Sequence, residues 1–241
     1  MLYLKTLKIN DMLNEMIINE LNGAYFVTGT DTEIGKTTTT AQLVKNIAQQ
    51  GKSVYAIKPV TAGLETDDNG QTYSDDARRI NQFANVKPPL SVIAPIQLAT
   101  PCSPHIAAQI DDVTLTNTQL VDTINNAIAA YPADVILVEG AGGWFTPIND
   151  KETLADVAAA LKYPVIIVVG IKLGSLNHAM LTLQAIWQAG LKVAVVIFNQ
   201  LQTDTPFVDA QIDWLSQQIL RQSAGHQNQS PLMVKQGVLT H

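Results

Sequence analysis

The 241-residue chain carries 15 basic and 21 acidic residues, a formal net charge of -6, and a hydrophobic fraction of 46%. That fraction is ample for a buried core, and the lack of a Lys/Arg cluster excludes the electrostatic footprint of a nucleic-acid binder. A single cysteine, Cys102, excludes an internal disulfide and fits a reducing cytoplasm, and the histidines at 105, 178, 226 and 241 have no zinc-ligand spacing with it.

The first segment, 1–23, alternates charge with apolar residues too often for a signal-peptide core, and no run approaches the length of a membrane span. It reads as an N-terminal extension, either an appended amphipathic segment or a tail behind an upstream start, ahead of one domain spanning 24–241. Short runs rich in β-branched residues then recur: "AYFVTG" (24–29), "SVYAIK" (53–58), "DVILVEG" (134–140), "PVIIVVG" (164–170) and "VAVVIFN" (193–199). Near-continuous apolar runs are what strands buried on both faces require. Amphipathic stretches of helical length, 36–50, 116–130, 153–161, 175–189 and 208–222, supply crossovers between parallel strands. The expectation is an α/β fold with a mainly parallel sheet covered by helices on both faces. The stretch 64–76 reads as a polar loop.

In such sheets ligands sit at the carboxyl ends of the strands, which here read Thr28-Gly29, Lys58-Pro59, Glu139-Gly140, Gly170 and Asn199. After the first strand comes "GTDTEIGKTTTT", a phosphate-loop pattern with five residues, rather than four, between Gly29 and Gly35. Its parts are nonetheless complete, which makes the expected α/β fold P-loop nucleotide hydrolase-like. Glycines let backbone N–H groups turn inward, the helix N-terminus adds partial positive charge, Lys36 reaches terminal phosphates and Thr37 can bind magnesium. Glu139, closing an apolar strand, suits a second magnesium contact, and Lys58 can stabilise charge on a phosphoryl group or oxyanion if its strand neighbours the loop. "GAGGWF" lacks the third glycine of a dinucleotide fingerprint, and neither a Gly-x-Ser-x-Gly elbow nor a Cys-x-x-Cys pair occurs.

From about Tyr25 to Asn199 the chain resembles the dethiobiotin synthetase family. "YFVTGTDTEIGKT", "KPV", "TPCSPHIAA", "VEGAGGWFTP" and "VVGIKLGSLNHAMLT" occur in that family's order, and the longer glycine interval is its normal loop form. The resemblance implies a cytoplasmic, ATP-dependent ligase that closes the ureido ring from 7,8-diaminononanoate and carbon dioxide or bicarbonate. It implies catalytic roles for Thr32, Lys36 and Lys58. Nucleotide contacts fall to Glu33, Ile34, Gly35, Lys36, Thr37, Thr38, Asp76, Glu139, Gly140, Ala141, Gly142 and Asn199, the last reading the base. Magnesium would be held by Thr37, Asp76 and Glu139, with Asp75 the alternative to Asp76. The family is also a homodimer, in which Gly174, Ser175 and Asn177 of "KLGSLN" hold the substrate's distal carboxylate in the other subunit's site.

Two departures stand out. The family's serine four residues after the second lysine is Ala62 here, which brings Thr61 in as the substitute substrate-binding hydroxyl. The family's base-closing segment has two prolines around a glycine, whereas "NQSPLMVKQGVLTH" has only Pro231. The alternatives are a partitioning-type switch ATPase, whose extra signature lysine is replaced by Thr30 and Asp31, and another carboxylate-activating ligase of the same superfamily.

Overall fold

The computed structural model describes residues 19–66, 69–70, 72–226 and 230–237. The N-terminal extension up to residue 18 therefore lies outside the described residues, as do parts of the 64–76 stretch and of the C-terminal segment.

Six parallel strands form the central sheet: β1 (Gly23–Gly29), β2 (Val54–Ile57), β7 (Val135–Gly143), β8 (Val165–Ile171), β9 (Val193–Gln200) and β10 (Leu232–Gln236). Their order across the sheet is β10-β9-β8-β1-β7-β2. Every residue of β8 is buried, as a strand covered on both faces demands. Alternation sorts its side chains: Val165, Ile167 and Val169 enter one core and Ile166 and Val168 the other.

The first core is covered by α5 (Asn117–Ala130), α6 (Leu154–Leu161), α7 (Ser175–Gln188) and α8 (Val208–Ser223), through Leu120, Val157, Leu183 and Leu215 among others. The second is covered by α1 (Lys36–Gln49) and α2 (Asp75–Ile80), through Leu43, Ile47 and Ile80. Helices thus cover both faces, as expected. Local chemistry sets several starts: Thr153 and Asp156 make a reciprocal capping box on α6, and Ser74 and Thr116 accept the N–H groups of Ala77 and Gln119.

Smaller elements complete the chain. A two-stranded parallel pair joins β3 (Val60–Ala62) to β6 (Ile96–Leu98), and a hairpin joins β4 (Glu65–Thr66) to β5 (Thr72–Tyr73). Two short helices are α3 (Leu90–Ile93) and α4 (Pro104–Ile110). The hairpin occupies part of the stretch read as a polar loop. At the domain's start, Leu21 is buried and Lys52 donates to the carbonyls of Leu21 and Asn19, so ordered packing reaches upstream of residue 24.

One topological expectation needs correction. The first two predicted strands are not neighbours, because β7 is inserted between β1 and β2. Strand order depends on which crossover packs on which face, and no local pattern encodes it.

Candidate nucleotide site

The phosphate loop follows β1 and turns on left-handed backbone at Glu33 (φ 55) and Gly35 (φ 77). Alternating the backbone sense in this way aims successive N–H groups into one concavity. Gly35 is required twice over, because a Cβ there would collide with the side-chain amide of Asn199. That amide donates to the carbonyl of Ile34 at 2.7 Å and so locks the loop to the end of β9. The helix that follows, α1, has no side-chain cap, so its first N–H groups face the loop without an internal acceptor from a cap.

Three strand ends converge on this loop. Lys36 Nζ donates to the carbonyl of Gly142 at 2.8 Å, and Thr37 Oγ1 donates to Glu139 Oε1 at 2.9 Å. Lys58, just past β2, donates to the same Glu139 oxygen at 3.0 Å, to Thr37 Oγ1 at 3.3 Å and to Asp76 at the start of α2. Lys58 therefore reaches the loop although β2 does not adjoin β1, since β7 carries Glu139 into the gap. Of the two aspartates, Asp76 contacts Lys58 and lines the cleft, whereas Asp75 pairs with Arg79 at 3.8 Å.

Burial governs the charges. It holds the Lys36 ammonium below the ordinary lysine pKa, with Glu139 offsetting only part of the effect. Burial pulls Lys58 the same way, yet the Glu139 and Asp76 carboxylates outweigh it and raise its pKa. Burial would raise Asp76, but Lys58 holds that carboxyl below the usual range. Glu139 is wholly inaccessible, and its Oε2 has no hydrogen-bond partner. A buried carboxylate oxygen left open, beside the oxygens of Thr37 and Asp76, suits a hard divalent cation such as magnesium, which also takes ligands from phosphate and water.

Around this cluster opens a cleft of about 1030 Å³. Thr32, Glu33, Gly35, Lys36, Thr37, Thr38, Lys58, Thr61, Asp76, Ala141, Gly142 and Asn199 all line it, whereas Ile34, Glu139 and Gly140 are buried and do not. The Thr61 hydroxyl is within 2.9 Å of Ser74 Oγ, so it supports the cap of α2 as well as facing the cleft.

Gly174, Ser175 and Asn177 do not line this cleft of their own chain. Gly174 (φ 91) starts α7 and Asn177 is exposed, but Ser175 turns inward and donates to Gln211 Oε1 at 3.2 Å. The preceding Lys172 pairs with Asp31 at 2.7 Å, tying this segment to the phosphate loop and holding the Asp31 carboxyl below its ordinary pKa. Leu173 beside it is fully exposed, and the exposed Phe145 and Leu181 border a second cavity of about 430 Å³.

Sequence reasoning missed Arg79, Thr146 and the Pro101–Pro104 segment, which also line the cleft. The run "TPCSPHIAA" was visible as a motif, but its residues carry no single chemistry that points to a role.

The sequence matches the family described as "AAA domain" over residues 23–231. The chain belongs to that family. Among solved structures it is similar to a ParA family ATPase from Chlorobium tepidum TLS, with a TM-score of 0.51 and 16% identity over 92% of this chain and 86% of that one. It is also similar to the cell division protein FtsY of Thermotoga maritima, with a TM-score of 0.47 and 16% identity over 95% and 70% of the two chains. The signal recognition particle receptor FtsY of Elizabethkingia anophelis, solved with GDP, gives a TM-score of 0.39 and 16% identity over 74% of this chain. The chain spans 49% of that receptor's length. The first of these likenesses agrees with the P-loop nucleotide hydrolase fold seen in the sheet and loop. Among the described residues no helix is long and apolar enough to cross a membrane.

Proposed function

We propose that the chain is an ATP-dependent cyclo-ligase of the dethiobiotin synthetase type, acting as a homodimer on 7,8-diaminononanoate and carbon dioxide. The observation that carries this reading is Lys58. It adds a second lysine to the Lys36 of the phosphate loop, in a cleft that is also lined by Thr61, Ala62 and Ser103. A simple hydrolase needs room there only for water, whereas a ligase needs a second substrate in line with the terminal phosphate. The motif order supports the same reading, and the AAA domain family to which the chain belongs includes dethiobiotin synthetase.

The chemistry runs in three steps. One amine of the substrate adds to carbon dioxide and loses a proton, giving a carbamate. A carbamate oxygen attacks the γ-phosphorus, the bond to the β-phosphate oxygen breaks, and ADP leaves behind a carbamic–phosphoric anhydride. The second amine then attacks the anhydride carbonyl, phosphate departs with the electron pair of the cleaved C–O bond, and the ureido ring closes with loss of a proton.

Lys36 and Lys58 offset the negative charge gathering on the carbamate and the transferring phosphoryl group, and Thr32 lines the same cleft. Such loose phosphoryl transfer depends on placement and positive charge more than on a strong base. Magnesium, held by Thr37, Asp76 and Glu139, would supply further charge neutralisation at the phosphates.

The exposed Gly174 and Asn177 belong, in this reading, to the partner's site, whereas the Ser175 side chain is turned inward to Gln211 of its own chain. The exposed Phe145, Leu173 and Leu181 beside them support burial of that face against a second copy. Incubation with ATP, magnesium, the diamine and ¹³C-bicarbonate tests the proposal. One labelled carbon per ring product, with one phosphate released, is expected. ATP hydrolysis without labelled product would favour the partitioning-type switch.

A further inference from the structure

Arg79 lies on α2 three residues after Asp76 and four after Asp75, and it lines the cleft together with Lys36, Thr37 and Thr38. Residues at those spacings share one face of a helix, so Arg79 stands on the side of α2 that brings Asp76 to Lys58. Two contacts set where its guanidinium sits. Nη2 donates to Thr38 Oγ1 at 3.4 Å, and Nη1 lies 3.8 Å from Asp75 Oδ2.

The mount of Arg79 is fixed by capping and packing. Ser74 caps α2 by accepting the N–H of Ala77 and lies within 2.9 Å of the Thr61 hydroxyl, while Ala77 and Ile80 are buried in the core that α1 also covers. Arg79 is thus held against the first turn of α1. Its side chain is 38% exposed and that of Asp75 44%, and an exposed ion pair contributes little by itself. A phosphate group, by contrast, matches the planar guanidinium fork with two parallel, charge-assisted hydrogen bonds.

Position selects the phosphates. Thr37, Lys58, Asp76 and Glu139 form one hydrogen-bonded cluster, which suits a cation and the terminal phosphate. Arg79 bonds instead to Thr38, one residue further into α1. In a phosphate loop the lysine reaches the outer phosphates, whereas backbone N–H groups of the loop cradle the α- and β-phosphates.

We propose that Arg79 is a further phosphate-binding residue, which holds the α- and β-phosphates of the bound nucleotide from the α2 side while the loop holds them from the α1 side. This rests on the nucleotide reading of the cleft. Those two phosphates remain in the ADP product, so Arg79 grips substrate and product nucleotide alike. Such uniform binding lowers KM and leaves kcat unchanged.

Calorimetric titration of ATP and ADP, each with magnesium, into the wild type, Arg79→Met and Arg79→Lys tests the assignment in the full chain. A hydrogen bond to a charged group corresponds to roughly tenfold in affinity. Arg79→Met should bind both nucleotides weaker by about that factor, and in turnover its KM for ATP should rise while kcat stays within about twofold. Arg79→Lys, which keeps the charge but not the fork, should recover part of the loss for both. Phenylglyoxal modification of the wild type, read by peptide mass spectrometry, needs no variant to fold. Bound ADP should suppress modification of Arg79 and leave that of the exposed Arg221 on α8 unchanged. Undiminished ATP and ADP affinities in Arg79→Met, a loss confined to ATP, or an Arg79 equally reactive with and without bound ADP would each overturn the proposal and leave the nucleotide site standing. A wild type that binds neither nucleotide would instead remove the nucleotide reading, and this assignment with it.

Discussion

Lys58 and Glu139 face each other at 3.0 Å across the carboxyl ends of the adjacent strands β2 and β7, and both are almost wholly buried. Each group makes the other tolerable out of water. Among the described residues the other hydrogen-bond donor to the Glu139 side chain is the Thr37 hydroxyl. Removing one partner of a buried pair leaves an uncompensated charge, which typically costs about 3 kcal/mol or more.

Lys58→Met should therefore lower both activity and stability, the latter by about 3 kcal/mol in chemical denaturation. Adding Glu139→Gln should restore most of the lost stability and none of the activity, because the double variant removes the stranded charge but not the need for cation and lysine. A double variant no more stable than Lys58→Met would show that the ion pair is not what the single change breaks.

Gly35→Ala forces a Cβ onto left-handed backbone and against the Asn199 amide. Left-handed backbone alone costs a non-glycine residue about 1 kcal/mol or more, and the displaced amide loses its bond to Ile34. Nucleotide affinity should fall at least about tenfold, a loss of 1.4 kcal/mol. Undiminished ATP binding by this variant in calorimetry would mean that the loop's shape is not set by the Gly35–Asn199 contact.

Thr61 and Ser74 act as one unit, since the Thr61 hydroxyl meets the serine that caps α2. Thr61→Val and Ser74→Ala should each cost about 1 kcal/mol, and the double variant less than the sum. Fully additive losses in urea denaturation would separate the two hydroxyls and return Thr61 to substrate contact alone.

The chemistry of the site was more legible than its architecture. The strands β1, β7, β8 and β9 announce themselves as apolar runs, and Lys36, Thr37 and Glu139 stand at ends that any parallel sheet would bring together. β10 was missed because "LMVKQ" is short and follows no apolar run, and it owes its place to pairing with β9 rather than to its own pattern. Likewise the reach of Lys58 to the loop depends on a strand order that no local pattern shows: β2 does not adjoin β1, and the side chain reaches the loop across β7. The inward turn of Ser175 depends on Gln211 of α8, 36 residues away, which no local spacing reveals.

If each site draws on two subunits, Lys36→Ala and Asn177→Ala should inactivate their own homodimers yet complement each other. In a mixed dimer one site carries both lesions and the other carries none. Random co-assembly makes about half the dimers mixed, so roughly a quarter of wild-type activity should return. No recovery from mixed dimers confirmed by mass would confine each site to one chain.

Phosphate release in the presence of ATP, magnesium, bicarbonate and diaminononanoate, with each omitted in turn, tests the central claim most directly. The ligase account predicts that omitting any one of the four abolishes release, because the carbamate is the nucleophile and forms only from diamine and carbon dioxide. Release that continues unchanged without both diamine and bicarbonate would contradict it and leave a nucleotide hydrolase.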